Sequence, residues 1–209
     1  MQNKRTIVLV EVALCVALAA VLNFAAIRLP VNIAGGSVSL TMLPIAIVAL
    51  RRGWTAGLVA GTVFGLLDLL MEPTILFPAQ VLMDYPIPYL LFGGAIGAFS
   101  SLYNKFATAT NSNESKLHLG KSLAIVICAF VVGGLLRYAS HVASGVLFFA
   151  EYAGDQNAVL YSLIYNISYL APSLIASAAC ALILMPILTK AFPPLTSKPS
   201  SESFSQISE

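Results

Sequence analysis

Residues 136–173 read LRYASHVASGVLFFAEYAGDQNAVLYSLIYNISYLAPS: two apolar runs joined by a short acidic turn around Glu151, Gly154 and Asp155. Arg137 and His141 stand one helical turn apart in the first run, so on a helix both side chains point to the same face. Ionisable groups set in apolar helices at membrane depth are expensive, and they generally face one another or a cavity. The second run carries Tyr161, Tyr165 and Tyr169 at four-residue spacing with Asn166 beside them, an aromatic face with a polar handle. The stretch therefore predicts two membrane helices forming much of a small-molecule pocket near one membrane surface.

The rest of the chain agrees with a membrane setting. Of its 209 residues 58% are hydrophobic and only 10% charged, and the mean hydropathy is +0.88, far too apolar for an ordinary soluble domain. A net charge of +2 without a basic block argues against nucleic acid as a partner. Cys15, Cys128 and Cys180 fall in separate apolar runs and read as small buried residues, neither a zinc site nor a disulfide framework.

Six apolar segments lie at roughly 6–27, 39–50, 54–71, 79–103, 121–149 and 158–189. The first follows Lys4 and Arg5 as an export signal would, but it is long enough to span and Glu11 interrupts it, so it reads as the first transmembrane helix. The second is short for a crossing and is expected to be covered by other protein. Six crossings put Lys4, Arg5, Arg51, Arg52, Lys105, Lys116, Lys121, Lys190 and Lys198 on one side and leave Arg28 on the other. The expected fold is an all-α integral membrane protein, a six-transmembrane-helix bundle over residues 1–195 with both termini cytoplasmic. The pocket then opens outward. Residues 107–116 read as a polar cytoplasmic loop, and 196–209 as a disordered cytoplasmic tail.

Gly53, Gly57, Gly61 and Gly65 recur every four residues, a smooth stripe more consistent with packing inside the bundle than with a subunit contact. Ala13 and Ala17 form a similar stripe whose orientation composition leaves open. Asp84, followed by Tyr85, has two readings of nearly equal weight: an ion pair with Arg137 holding two helices together, or an acceptor for a cationic ligand flanked by tyrosines. The presence of His141 and Asn166 at the same expected depth favours the ligand. Arg137 and His141, each ordinarily a satisfied packing residue when alone, come here as a pair able to donate to a hydroxyl or phosphate oxygen. Phe148 and Phe149 read mainly as boundary aromatics, with a smaller chance that one stacks on a ligand; Glu72 reads as solvated and Asp68 as undecided. Neither HExxH nor GxxxxGK[ST] occurs, and Ser144 sits on the same helix face as His141, a poor arrangement for a nucleophile and its base. Catalysis is not expected, nor a metal or cofactor.

The stretches GGSVSLTMLPI (35–45), ALRRGWTAGLVAG (49–61), PAQVLMDY (78–85), LRYASHVASGVLFF (136–149) and YSLIYNISYLAPS (161–173) together resemble the thiamine-specific substrate-binding component of energy-coupling factor (ECF) transporters. The resemblance runs through nearly all six segments in order. It implies a cell-membrane protein that captures thiamine from outside and hands it to a transmembrane coupling protein and two ATPases, hydrolysing nothing itself. By this resemblance Asp84 and Tyr85 fall at ligand-contacting positions, His141 matches the histidine of the fifth helix, and Arg137 takes the basic position before it. Tyr161 and Asn166 match ligand-facing positions of the sixth helix, Phe149 stands where some members stack a Trp, and Ala13 and Ala17 resemble the stripe that docks on the coupling protein. The competing expectations are a sister component for another vitamin or a thiamine precursor, an intramembrane enzyme using Asp84 or His141, and a structural subunit whose buried charges only pair internally.

Overall fold

The computed structural model describes residues 4–28, 37–108 and 115–192. The tail from Thr196, Gly35 and Gly36, most of the loop expected at 107–116, and the side chain of Arg28 lie outside that description. The described residues are helical almost throughout. After α1 (Lys4–Phe24), a two-residue β1 (Ile27–Arg28) pairs antiparallel with β2 (Ser37–Val38). Then come α2 (Met42–Arg52), α3 (Trp54–Met71), α4 (Pro78–Asp84), α5 (Pro86–Ala98), α6 (Ser100–Ala107), α7 (Ser115–Phe148), a 3-10 turn (Ala150–Ala153) and α8 (Ala158–Ala191).

Among the described residues five stretches are long and apolar enough to cross a bilayer: Lys4–Phe24, Trp54–Met71, Pro78–Ala98, Lys116–Phe148 and Ala158–Ala191. This is a multi-pass membrane protein. The remaining apolar segment, α2, has 11 residues and so spans only about 16 Å, roughly half a hydrocarbon core. Nearly all of it is buried, from Met42 through Arg51, as a short helix at membrane depth requires. Gly53, at φ +94°, makes the break between α2 and α3, a left-handed backbone that a side chain would oppose.

One expected segment is not continuous. Residues 79–103 form the end-to-end pieces α4, α5 and α6; the break between α4 and α5 falls at Tyr85, because Pro86 offers no N–H and disfavours a regular helical residue before it, and a second falls at Phe99. Asp84 consequently ends α4, and does not lie early in a long helix.

The glycine stripe packs inside the bundle. A Cβ on Gly57 would enter the carbonyl of Gly93, one on Gly61 that of Tyr89, and one on Gly65 that of Tyr85, so α3 and α5 meet backbone against backbone. Around this seam lies a core that includes Phe64, Phe92, Phe130, Ile45 and Met185. Phe64 packs edge-on to Tyr89 at 4.6 Å.

At one end of the bundle charged groups tie three helices together. Glu11 of α1 pairs with both Arg51 and Arg52, and Arg51 Nη1 also donates to the carbonyls of Leu188 and Phe192 at the end of α8, at 3.1 and 3.0 Å. Lys105 and Lys121 approach the same ring, Phe106. The opposite ends of α3, α7 and α8 surround the cavity.

Candidate functional site

The cavity, of about 190 Å³, is enclosed by the end of α1, β2, the end of α3, the α4–α5 junction, and the facing parts of α7 and α8. Asp84, Tyr85, Arg137, His141, Phe149, Tyr161 and Asn166, residues remote in sequence, all line it.

Asp84 is brought in by the end of α4 at the proline break. Its Oδ1 stands 3.6 Å from His141 Nδ1, and its Oδ2 accepts a hydrogen bond from Gln80 Nε2 at 2.6 Å. The alternative in which Asp84 pairs with Arg137 is therefore not the arrangement found. Arg137 instead sets its guanidinium carbon 3.9 Å from the centre of the Tyr89 ring, within electrostatic reach of Asp68. Asp68 in turn accepts from Asn23 Nδ2 at 3.0 Å. Among the described residues nothing hydrogen-bonds to Arg137 Nε or His141 Nε2, although both atoms are buried. A buried polar group left in that condition costs about 1–3 kcal/mol.

α8 supplies the aromatic wall. Tyr161 and Tyr165 stack with centroids 5.9 Å apart, and Tyr169 sits edge-on to Tyr165 and to His141. Four-residue spacing alone places these rings in a column. Asn166 is tied to its surroundings at both ends of its amide. Nδ2 donates to the Ser162 carbonyl at 2.9 Å and toward the His141 carbonyl at 3.4 Å, while Oδ1 accepts from Tyr169 at 2.7 Å. It fastens α7 to α8 within the wall. Phe149 lines the mouth 5.9 Å from Tyr152, and Phe148 packs instead against Phe77.

One expectation changes. Glu72 lines the cavity and is half-buried, not simply solvated, and Asp68 beside it is a cavity residue. Tyr85 presents its ring to the cavity, but its hydroxyl is committed to the chain after α3, accepting from Thr74 N at 2.6 Å and donating to the Glu72 carbonyl at 2.8 Å. Sequence reasoning passed over Asn23, Gln80, Tyr89 and Tyr152. Gln80 and Tyr89 could have been found at i−4 from Asp84 and i+4 from Tyr85. Ala13 and Ala17 lie on the exposed side of α1, away from the cavity.

Three carboxylates (Asp68, Glu72, Asp84) and a column of tyrosines against one guanidinium, at one end of a membrane bundle, form a cavity whose chemistry complements a small solute with cationic character. Residues 9–195 match the family described as thiamine transporter protein, and the chain belongs to that family. It is 35% identical over 88% of its length to the thiamine transporter ThiT of Bacillus subtilis, covering 91% of that protein. It is also 28% identical to the ThiT of Lacticaseibacillus paracasei, over 98% of this chain and 97% of that one. A solved structure of ThiT from Listeria monocytogenes superimposes with a TM-score of 0.67 at 31% identity, covering 91% of this chain and 97% of that one. These relatives are transporters, not enzymes.

Proposed function

We propose that this chain captures thiamine in the cavity between α3, α4, α7 and α8 and serves as the substrate-binding component of an ECF transporter, passing the vitamin to a coupling protein driven by two ATPases. The observation that carries the reading is the excess of acid over base in a tyrosine-walled hollow within the bundle of a thiamine transporter family member. Thiamine offers a fixed positive charge on one aromatic ring, an aminopyrimidine and a hydroxyl. The carboxylates complement the charge, the tyrosine rings offer faces for stacking, and Arg137 and His141 present buried nitrogens to polar groups. In this reading Asp84, Tyr85, Arg137, His141, Phe149, Tyr161 and Asn166 form the ligand site, Tyr85 and Asn166 through the walls they brace.

The same reading takes six crossings with both termini cytoplasmic and the cavity open to the outside. It is supported by the meeting of Glu11, Arg51, Arg52 and the end of α8 at the end of the bundle away from the cavity, since basic residues gather on the cytoplasmic side. Ala13 and Ala17, small and exposed on α1, are the proposed contact with the coupling protein.

Calorimetric titration of the purified chain with thiamine tests the reading. Saturable binding that is much weaker for the isolated pyrimidine half is the expected result, and absence of thiamine binding refutes it. Calorimetry suits this chain better than tryptophan fluorescence, because Trp54 begins α3 and lies about 20 Å along that helix from Asp68.

A further inference from the structure

Gln80 is buried to 1% exposure and its amide has a single consistent orientation. Oε1 accepts the backbone N–H of Leu76 at 3.1 Å, and an N–H can only donate. Nε2 gives one hydrogen to the Thr74 carbonyl at 3.1 Å and the other to Asp84 Oδ2 at 2.6 Å, and a carbonyl and a carboxylate can only accept. Each atom of the amide thus meets a group of opposite kind. The segment between α3 and α4, held also by Tyr85, is thereby joined to one oxygen of Asp84, leaving the other oxygen turned toward His141.

We infer that Gln80 is a positioning residue for thiamine binding: its amide fixes the rotation of the Asp84 carboxylate and couples the chain around Thr74 to the charge that meets the ligand. The inference rests on the functional reading above. A carboxylate free to rotate loses part of its attraction to ordering, whereas one held by a charge-assisted hydrogen bond meets the ligand already oriented. Glutamate has the shape of glutamine but, when ionised, nothing to donate; protonated, it regains one hydrogen for Asp84.

The test titrates thiamine into wild type, Gln80→Glu and Gln80→Leu by calorimetry at pH values from about 7.5 down to about 5, a range in which a carboxyl beside another carboxylate takes up its proton. The other titratable or charged groups around Asp84 are His141 and Arg137 on α7, Tyr85, Tyr169 on α8, and Glu72 and Asp68 across the cavity. All are common to the three proteins, so the variant-to-wild-type ratio isolates position 80. Both variants are expected to bind about tenfold or more weakly at the upper pH, the scale of one hydrogen bond to a charged group, and only the glutamate variant should recover toward wild type as pH falls. Wild-type affinity in both variants, or a glutamate deficit as flat with pH as that of leucine, overturns the proposal. So does loss of the folded state in both variants, which assigns Gln80 to the scaffold. If wild type itself binds no thiamine, the functional reading fails; if wild type binds and the variants match it, this inference fails alone.

Discussion

Arg137 holds its guanidinium carbon 3.9 Å from the centre of the Tyr89 ring, and both residues are at least 90% buried. A desolvated cation over an aromatic face is stabilised by about 2 kcal/mol. The ring thus holds in place a charge on a cavity-lining residue whose Nε has no hydrogen-bond partner among the described residues. Tyr89→Leu is expected to lower stability by about that amount and to weaken thiamine binding. Tyr89→Phe keeps the ring and should retain most of both. Thermal unfolding in detergent, paired with calorimetry, checks the order of the two variants.

Asp84→Asn removes the charge at the α4–α5 junction while preserving its shape, and His141→Ala removes the imidazole facing it. Each should reduce thiamine affinity by about tenfold or more, the scale of a lost interaction with a charged group, with the fold intact by circular dichroism. Unchanged affinity in both would remove these residues from the site.

Gly57→Ala and Gly61→Ala drive a methyl group into the carbonyls of Gly93 and Tyr89. Because the obstruction is backbone, relief requires α3 and α5 to separate, and both variants should lose folded protein during detergent extraction. Gly120→Ala, where the added carbon meets nothing within 4 Å, is the control; it should be neutral or raise stability by up to about 1 kcal/mol through helix propensity.

Glu11→Gln leaves Arg51 and Arg52, both mostly buried, without their carboxylate. Loss of about 2 kcal/mol or more is expected, moderated because Glu11 itself is partly exposed. Chemical denaturation measures it, and thiamine affinity should change little, the site being at the other end of the bundle.

Ala13→Leu or Ala17→Leu alters only the exposed side of α1. Thiamine binding by the isolated chain should be unaffected while cellular uptake falls. Normal uptake would contradict the proposed contact with the coupling protein.

Much of this was legible in the sequence where one helix carries the whole pattern. The spacing of Arg137 and His141, and that of Tyr161, Tyr165 and Tyr169, put each set on a single face, and the short apolar run at 39–50 required burial. The membership of Asp68 and Glu72 was also available. They continue the stripe of Gly61 and Gly65 at intervals of three and four, so the face that packs inward at its glycines reaches the cavity at its acids. Pairings between helices were not legible. Nothing local distinguishes His141 from Arg137 as the group facing Asp84, or shows that Asn23, at the far end of α1, would donate to Asp68. The first follows from where the proline break at Pro86 places Asp84, and the second from how α1 packs beside α3.

The seam between α3 and α5 has a bearing on descent. Where two main chains touch there is no side chain to trim or enlarge, so the frame on this side of the hollow is insulated from mutational drift in width. A change of solute preference in this chain is then to be sought in individual contacts such as Phe149, Tyr152 or Tyr161, exchanged one at a time over a chassis that stays the same.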